Sequence, residues 1–285
     1  MTPSVADYNS PAENAWCPGC GNFGILMALK QALVLEEIAP HEVLVVSGVG
    51  QAAKLPQYMA CNAYTVLHGR TLPAAVGAKL ANHALTVIAV GGDGDGLAEG
   101  GNHFIHNMRR NVDITYLLNN NQVYGLTKGQ PSPTTDQGFT SGMSPKGSPH
   151  PHMQHLAMAV ACNCAFVARS FAATPDHLTQ MIAQGIRHKG FALIDILQPC
   201  VSYNDVNTYG WYRERVRPLG DDHDPTDRQA ALAKALAWGD EIPIGVIYRS
   251  ARPTLEARLP ALRKGPLVDQ PIDPQVGMKL LSEFS

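Results

Sequence analysis

The chain has 285 residues, of which 45% are apolar and 16% are charged, and its formal net charge is −2. This length and apolar content suit one large α/β domain or two small ones. A charge near zero excludes the basic surface of nucleic-acid-binding proteins, and the low charged fraction fits a subunit that buries surface against a partner. No apolar stretch approaches the roughly 20 residues that span a membrane, and the first residues lack a signal-peptide pattern, so a cytoplasmic protein is expected.

Hydrophobic periodicity in the first third of the chain predicts helices alternating with short buried strands. The predicted elements are an extended segment over residues 1–16, a helix over 22–37 with Asn22 as N-cap, a strand over 43–47, a strand over 64–67 and a helix over 71–82. The strand over 43–47 runs into Gly48-Val49-Gly50-Gln51, a turn in which glycine lets the backbone approach a ligand closely. The next strand ends in His68-Gly69-Arg70.

The stretch over residues 87–127 predicts a β-α-β unit with polar residues at the end of each strand. An apolar run over 87–90 ends in a glycine-rich turn that carries Asp93 and Asp95. A helical segment follows, and a second apolar run over 114–118 ends in three asparagines, the last of which is Asn121. Ligands bind at the carboxyl ends of strands in open α/β sheets, and an Asp with an Asn there suits Mg²⁺.

The second half of the chain begins with a polar, proline-rich loop over residues 128–155, a length typical of a functional loop. After it the pattern predicts a helix over 152–161, a strand over 165–168, a helix over 175–189, a strand over 191–197, a helix over 226–238 and a strand over 242–248. The predicted fold is therefore α/β, a doubly wound and mostly parallel sheet. We expect one domain over residues 1–202 and an irregular C-terminal arm over 203–285 that packs on a partner subunit.

Asp93 and Asn121 form the first candidate site. The side chains of both, joined by the backbone carbonyl of Val123, could coordinate Mg²⁺, while the flanking glycines let a diphosphate approach backbone N–H groups at a helix start. Each half alone is also an ordinary turn sequence. Both halves together, each ending an apolar strand, favour a Mg²⁺–diphosphate site.

The cysteines form the second candidate site. The chain contains six, and Cys17-Pro18-Gly19-Cys20 has the spacing of a redox dithiol, of zinc ligands or of iron–sulfur ligands. A zinc ribbon needs a second C-x-x-C, which this chain lacks. Cys162 and Cys164 have a different spacing and are expected to be buried structural thiols.

Several motifs in one order resemble the β subunit of 2-oxoacid:ferredoxin oxidoreductases, over roughly residues 14–250. These are CPGCG, SGVG, LHGR, GGDGDGLAEGGNHFIHNMRRN, NNQVYGLTKGQPSPTT and QPC, and GDG with paired asparagines matches the thiamine diphosphate motif. The resemblance implies thiamine diphosphate, Mg²⁺ and a 4Fe-4S cluster as cofactors, coenzyme A and a 2-oxoacid as substrates, and ferredoxin and an α subunit as partners. The implied cofactor residues are Gly48, Gly50, His68, Gly92, Asp93, Gly94, Asp95, Asn121, Val123, Tyr124, Gly125, Leu126 and Thr127.

The same resemblance implies cluster ligands at Cys17, Cys20 and Cys200, and it exposes a departure. The family has a further cysteine directly after SGxG, where this chain has Gln51. A 4Fe-4S cluster normally takes four thiolates, so Cys61, ten residues later, is the expected substitute. A non-cysteine fourth ligand or the absence of a cluster are the alternatives.

Cationic residues follow several predicted strand ends or glycine turns, namely Lys54, His68, Arg70 and Lys128. Any single lysine is most often solvated, but by resemblance Lys54 and Lys128 line the substrate side of thiamine, where a 2-oxoacid carboxylate needs a cation. His68 is a candidate proton-transfer group or diphosphate donor, and Leu126 is a further candidate catalytic residue. Two lysines favour a dicarboxylate such as 2-oxoglutarate, with pyruvate as the alternative. A non-oxidative thiamine-dependent enzyme and a non-catalytic iron–sulfur protein are the rival functions.

Overall fold

The computed structural model describes residues 2–272 and 274–284. The strands are β1 Val43–Ser47, β2 Asn62–Thr65, β3 Thr86–Gly92, β4 Thr115–Asn120, β5 Val123–Tyr124, β6 Gln130–Pro131, β7 Phe166–Phe171, β8 Ala192–Leu197, β9 Val216–Pro218 and β10 Ile242–Arg249. The α-helices are α1 Asn22–Leu35, α2 Thr71–Ala81, α3 Gly101–Arg110, α4 His155–Ala161, α5 Pro175–Arg187, α6 Tyr209–Arg215, α7 Arg228–Leu236, α8 Leu255–Arg258 and α9 Pro274–Ser282. A π-helical segment, Gly94–Glu99, precedes α3, and a 3₁₀ helix, Ala52–Tyr58, follows β1.

Eight strands form one sheet in the order β2-β1-β3-β4-β8-β7-β10-β9. The first six strands in this order, β2-β1-β3-β4-β8-β7, are parallel, and β10 pairs antiparallel to β7. Every residue of β4 and β8 is buried, as expected for strands covered on both faces. The predicted fold, a doubly wound and mostly parallel α/β sheet, is confirmed.

Helices cover both faces of the sheet. One apolar core contains Leu72 of α2, Phe104 of α3 and Leu156 of α4. The other contains Leu29 of α1 and Ile182 of α5. Asn22 is not the N-cap of α1, since Gly21 holds that position; the Asn22 side chain is buried and accepts a hydrogen bond from Asn119 Nδ2 at 2.8 Å.

The chain leaves β1 toward β2 on one side of the sheet and returns to β3 on the other side. The carboxyl ends of β1 and β3 therefore flank a topological switch point, where a crevice opens in folds of this kind. The turn that begins at Gly48 and the turn that carries Asp93 meet there. The arrangement of strands brings together the two glycine-rich turns that the sequence singled out.

The segment after residue 202 is more regular than the predicted arm. Its strands β9 and β10 extend the same sheet, α7 packs against α4, and Tyr212 of α6 shares a small apolar core with Ile242 and Ile244 of β10. Beyond Arg249 the described chain forms only short helices, and α9 has no buried residue. No described helix has the length and apolar character needed to cross a membrane.

Candidate cofactor site

A cavity of about 440 Å³ opens at the carboxyl ends of β1, β3 and β4. That volume lies in the range of small-molecule and cofactor sites. It is lined by Val49, Gly50, Gln51, Ala52, His68, Gly92, Asp93, Gly94, Asp95, Glu99, Asn121, Val123, Tyr124, Gly125, Leu126, Thr127 and Gln130. The structure thus brings together all the residues that the sequence analysis assigned to the diphosphate site except Gly48, which lies behind the cavity against Asp95.

Asp93 directly follows β3 and is 2% exposed. Its Oδ2 accepts hydrogen bonds from Ser132 Oγ and Thr134 Oγ1, each at 2.5 Å. Burial raises the pKa of the Asp93 carboxyl, and the two hydroxyls oppose that rise. A buried carboxylate that lines a cavity and is held by two hydroxyls suits a divalent cation, since the cation would supply the opposite charge that burial demands.

Ser132, Thr134 and Thr135 are functional residues that the sequence analysis missed. All three are buried, and they lie at the start of the proline-rich loop, where Thr135 Oγ1 donates to the carbonyl of Gln122 at 2.6 Å. The Pro-Ser-Pro-Thr-Thr segment reads as an ordinary loop. Only the folded chain shows that its hydroxyls attach the loop to Asp93 and to the backbone carbonyl of Gln122.

The turn between β4 and β5 presents the remaining oxygen donors. Gln122 is fully buried and has a left-handed backbone, with φ +59°. Its side chain donates to the Thr134 carbonyl at 2.9 Å and accepts from the Tyr212 hydroxyl at 2.8 Å. These bonds stabilise the uncommon left-handed backbone of Gln122. With this turn, Asn121 and Val123 line the same cavity as Asp93.

Asp95 lines the cavity, but both of its carboxylate oxygens accept hydrogen bonds from other residues of the chain. Its Oδ1 accepts from the backbone N–H of Val49 at 3.1 Å and of Gly69 at 2.8 Å, and its Oδ2 accepts from Thr71 Oγ1 at 3.0 Å. Asp95 therefore ties the turn after β1 and the start of α2 to the π-helical segment. It shapes the site, whereas Asp93 remains available to a cation.

His68 lies at the cavity mouth beside a carboxylate. Its Nδ1 is 3.2 Å from Glu99 Oε2, and the Tyr124 hydroxyl donates to the same oxygen at 3.3 Å. Burial and the neighbouring Glu99 raise the pKa of Tyr124, so the phenol stays a proton donor. Glu99 was not singled out from the sequence, although its position in the helical turn after GDGDG is compatible with a place in the cavity.

The predicted substrate-binding cations lie apart from this cavity. Lys54 is on the 3₁₀ helix after β1 and Lys128 borders the neighbouring thiol cavity, but neither lines the cofactor cavity. Arg70 Nη1 donates to the backbone carbonyls of Gly69 and Glu99. His68 and Leu126 do line the cavity.

A second, smaller cavity of about 130 Å³ adjoins the first and contains three cysteines, Cys17, Cys20 and Cys200. Gln198 Nε2 donates to Cys20 Sγ at 3.4 Å and Ser202 Oγ donates to Cys17 Sγ at 3.1 Å. Burial raises the pKa of Cys20 and of Cys200, and the other thiols of the group raise both further. Such thiols are protonated unless a bound cation or cluster stabilises the thiolate form.

These thiols are arranged for a cluster more than for one ion. Among the described residues, no group of three or more His, Cys, Asp or Glu side chains could hold a single metal ion. An iron–sulfur cluster is larger and binds thiolates that stand further apart, and donors to sulfur are among its usual surroundings. The three thiols, the donors at Gln198 and Ser202, and the cavity between them fit that group.

The prediction that Cys61 completes this set is not supported by the fold. Cys61 directly precedes β2, and Asn62 pairs with Leu44 near the start of β1, so Cys61 lies toward the amino edge of the sheet. It packs in the α1 and α5 core, where burial raises its pKa to about 11. The reason is topological: β2 runs parallel to β1, so the residue before β2 lies at the opposite edge from the turn after β1.

A buried polar network lies behind the metal-ligand residues. Thr134 Oγ1 lies 2.8 Å from Asn120 Oδ1, and Asn120 Nδ2 donates to Asp195 Oδ1 at 3.1 Å. Asp195 is fully buried in β8, with Arg169 Nε at 3.0 Å and His155 Nε2 at 3.1 Å. Burial raises the pKa of Asp195, but His155 and Arg169 outweigh it and bring the pKa down to about 2.

The fold and this site define a thiamine diphosphate-binding domain of the α/β type. Residues 38–196 match the family described as thiamine pyrophosphate enzyme, C-terminal TPP binding domain. Residues 200–264 match the family that describes the C terminal of the pyruvate ferredoxin oxidoreductase beta subunit.

Sequence relatives show which family of thiamine diphosphate-binding proteins this is. The β subunit of 2-oxoacid:ferredoxin oxidoreductase 1 from Aeropyrum pernix is 42% identical over 283 residues, covering 94% of this chain and 88% of the relative. The corresponding β subunit from Saccharolobus solfataricus is 44% identical over 250 residues, covering 83% and 82%. The chain belongs to the family of 2-oxoacid:ferredoxin oxidoreductase β subunits, as the motifs indicated.

A solved structure supports the same assignment. The 2-oxoglutarate:ferredoxin oxidoreductase from Magnetococcus marinus, with 2-oxoglutarate, coenzyme A and succinyl-CoA bound, superposes with a TM-score of 0.91. It is 35% identical, and the alignment covers 98% of this chain and 96% of that chain.

Proposed function

We propose that this chain binds Mg²⁺ and thiamine diphosphate and serves the oxidative decarboxylation of 2-oxoglutarate to succinyl-CoA, with an α subunit as its partner and ferredoxin as electron acceptor. The observation that carries the proposal is the convergence of Asp93, Asn121 and Val123 on one cavity. Their carboxylate, amide and carbonyl oxygens are the hard donors that Mg²⁺ takes. Thiamine diphosphate, when bound, supplies the nucleophilic carbon and the electron sink for loss of the carboxylate.

The chain's own residues have separable tasks. Asp93 holds the cation, Gln122 presents the two other donors, and Asp95 fixes the turn after β1 beside them. Gly94 lets the ring of Tyr124 pack against the turn, since an added methyl group would lie 2.2 Å from Tyr124 Cε1. His68, paired with Glu99, is the group placed to hold or move a proton at the cavity mouth.

The choice of 2-oxoglutarate rests on the Magnetococcus marinus enzyme, which contains that substrate and succinyl-CoA. The predicted lysine pair gives it no support, because neither Lys54 nor Lys128 lines the cofactor cavity. Pyruvate is the second candidate, because residues 200–264 match a family named for pyruvate oxidation. The co-purified αβ complex, assayed with both acids, coenzyme A and viologen, should turn over 2-oxoglutarate faster; a strong preference for pyruvate would overturn this choice.

The proposed cluster occupies the thiol cavity, next to the cofactor cavity. Gln51, Asn121, Gly125 and Leu126 line both cavities, so the two groups would be neighbours. Electrons from the oxidised substrate could then leave through the cluster. A non-oxidative thiamine enzyme has no use for three thiols so placed, and a simple electron carrier has no use for the Asp93 site.

The decisive experiment is the Asp93→Asn variant of the complex. Removing the carboxylate should weaken Mg²⁺-dependent thiamine diphosphate binding by on the order of 100-fold, measured by titration calorimetry. Asp205→Asn, an exposed acid beyond the thiol cavity, is the matched control and should bind as the unaltered complex does. Equal affinity of Asp93→Asn and the control would show that Asp93 does not hold the cation.

A further inference from the structure

The thiol cavity contains three cysteines and no fourth. All six cysteines lie in the described part of the chain, and the other three are elsewhere. Cys61 packs in the α1 core, and Cys164 is fully buried near the amino end of β7, with Cys162 close by. A cluster bound here therefore has thiolates from Cys17, Cys20 and Cys200 alone.

Gln51 occupies the remaining side of this cavity. Its backbone is fixed beside Cys17, because Trp16 Nε1 donates to the Gln51 carbonyl at 2.8 Å. The side chains of Gln51 and Cys200 both lie beside Gly125. A methyl group at Gly125 would lie 3.7 Å from Cys200 Sγ and 4.0 Å from Gln51 Cγ. Gly125 leaves that space open, and Gln51 lines both this cavity and the cofactor cavity.

The carboxamide oxygen of Gln51 is buried and has no hydrogen-bond partner. An unpartnered buried acceptor costs on the order of 1–3 kcal/mol, so a native fold retains one where a ligand or water satisfies it. Gln198 is another amide that lines this cavity, and its oxygen is also without a partner. The nitrogen of Gln198, however, already donates to Cys20 Sγ. This hydrogen bond fixes the Gln198 amide as a donor to a thiol sulfur.

We propose that the cluster of this chain is held by three thiolates, from Cys17, Cys20 and Cys200, and that its fourth iron faces the carboxamide of Gln51. This inference rests on the cluster in the proposed function. A neutral amide oxygen is a harder and weaker ligand for this iron than a thiolate. The iron beside Gln51 is therefore the one that is lost first and the one that an added ligand reaches.

Loss of that iron balances as a simple oxidation. Ferricyanide removes one electron from the four-iron cluster, and the iron beside Gln51 then leaves as Fe²⁺, so that a cluster of three ferric ions remains on the three cysteines. No cysteine is oxidised, and no thiolate bond to the protein is broken. The number of iron atoms per complex and the electron paramagnetic resonance spectrum report this change without any assay of turnover.

The test compares the co-purified αβ complex with its Gln51→Cys variant under stoichiometric ferricyanide. The unaltered complex should fall from about four to about three cluster irons and show the spectrum of an oxidised three-iron cluster, whereas Gln51→Cys should keep about four. Gln198→Cys is the matched control and should lose iron as the unaltered complex does. Equal retention with and without Gln51→Cys, or protection by Gln198→Cys, would overturn the assignment to Gln51.

If the Gln51→Cys variant fails to assemble, a second measurement on the unaltered complex tests the proposal. Added 2-mercaptoethanol should alter the resonance spectrum of the reduced, unaltered complex, since its thiolate can reach the open iron; an unchanged spectrum at saturating thiol would refute the proposal. Cys200→Ser separates this from failure of the proposed function. If Cys200→Ser contains as much iron as the unaltered complex, no cluster is bound by these thiols, and both the proposed function and this inference fail. If Cys200→Ser loses iron but Gln51→Cys has no effect, the cluster is present and only the assignment of its fourth iron to Gln51 is wrong.

Discussion

Asp93 and Asp95 stand two residues apart in one glycine-rich turn, yet their surroundings give them different tasks. Asp93 lines the cavity and accepts from the hydroxyls of Ser132 and Thr134, whereas both oxygens of Asp95 accept from groups that belong to two other segments. The sequence predicted that both belong to the diphosphate site, and both do line it. It could not divide the tasks, because the donors to Asp95 come from residues 24 to 46 positions away.

The Asp95→Asn variant tests this division. An amide at Asp95 would present N–H to at least one of the donors at Val49, Gly69 or Thr71, leaving buried donors without acceptors. We expect a loss of about 1–3 kcal/mol of stability, seen as a melting temperature several degrees lower. Measured without Mg²⁺ and thiamine diphosphate, so that cofactor binding does not contribute to stability, Asp93→Asn should melt close to the unaltered complex. A reversed order of the two melting temperatures would contradict the assigned roles.

Asp195 gives a prediction for pH. Its pKa in the folded chain is about 2, below the ordinary value for an aspartate, so its ionised form stabilises the fold. That stabilisation, about 2 kcal/mol, is complete above about pH 4 and is lost as pH falls toward 2, where the folded protein takes up the proton. The difference in stability between the unaltered protein and Asp195→Asn should therefore narrow over this range.

The control for Asp195 is Asp176→Asn, an exposed carboxylate on α5. Its difference from the unaltered protein should stay small throughout the same range. Thermal melting of the complex at several pH values measures both differences. A gap between the unaltered protein and Asp195→Asn that does not change with pH would show that Arg169 and His155 do not stabilise the charge.

At the scale of elements, the π-helical segment after β3 depends on close packing at glycine. A methyl group on Gly96 would lie 1.9 Å from the hydroxyl oxygen of Tyr116, a fully buried side chain of β4. Gly94 has a similar relation to Tyr124. The sequence analysis predicted a helix after GDGDG, but the π-helical form follows from the approach of this segment to β4.

Gly96→Ala is expected to destabilise the chain by about 1–3 kcal/mol, because Tyr116 cannot move without disturbing the core. Gly101→Ala, five residues later at the start of α3, is the matched control, since no atom lies within 4 Å of the added methyl group. Melting temperatures of the two variants decide the matter. Equal values would mean that the segment can shift away from Tyr116 without cost.

At the scale of the whole molecule, the end of the chain leaves apolar side chains exposed. Met278 is 69% and Leu281 68% exposed on α9, and Ile272 just before it is 93% exposed. Large exposed apolar groups close together mark interaction surfaces. The proposed occupant is the α subunit, in keeping with the predicted role of the C-terminal arm, although β9 and β10 of that arm are strands of the sheet.

A pair of charges on α9 tests this surface. Met278→Asp with Leu281→Asp should reduce co-purification of the α subunit at least several-fold, because the charges would have to be desolvated in the interface. Lys279→Glu changes charge on the same helix and serves as the control. Pull-down of a tagged α subunit from co-expressing cells measures the effect. Undiminished recovery with the double variant would exclude α9 from the interface.

The sequence by itself predicted seven of the ten described strands and the polar residues that follow β1, β3 and β4, but not the short strands β5, β6 and β9. Buried apolar runs closed by glycine, aspartate and asparagine predict parallel strands and a Mg²⁺–diphosphate site, since those signals are local. The structure alone decided contacts between distant segments: Ser132 and Thr134 on Asp93, Tyr212 on Gln122, and the displacement of Lys54 from the cavity. Cys61 shows the reason most clearly, because strand direction and pairing, which no local pattern encodes, place it at the wrong edge of the sheet.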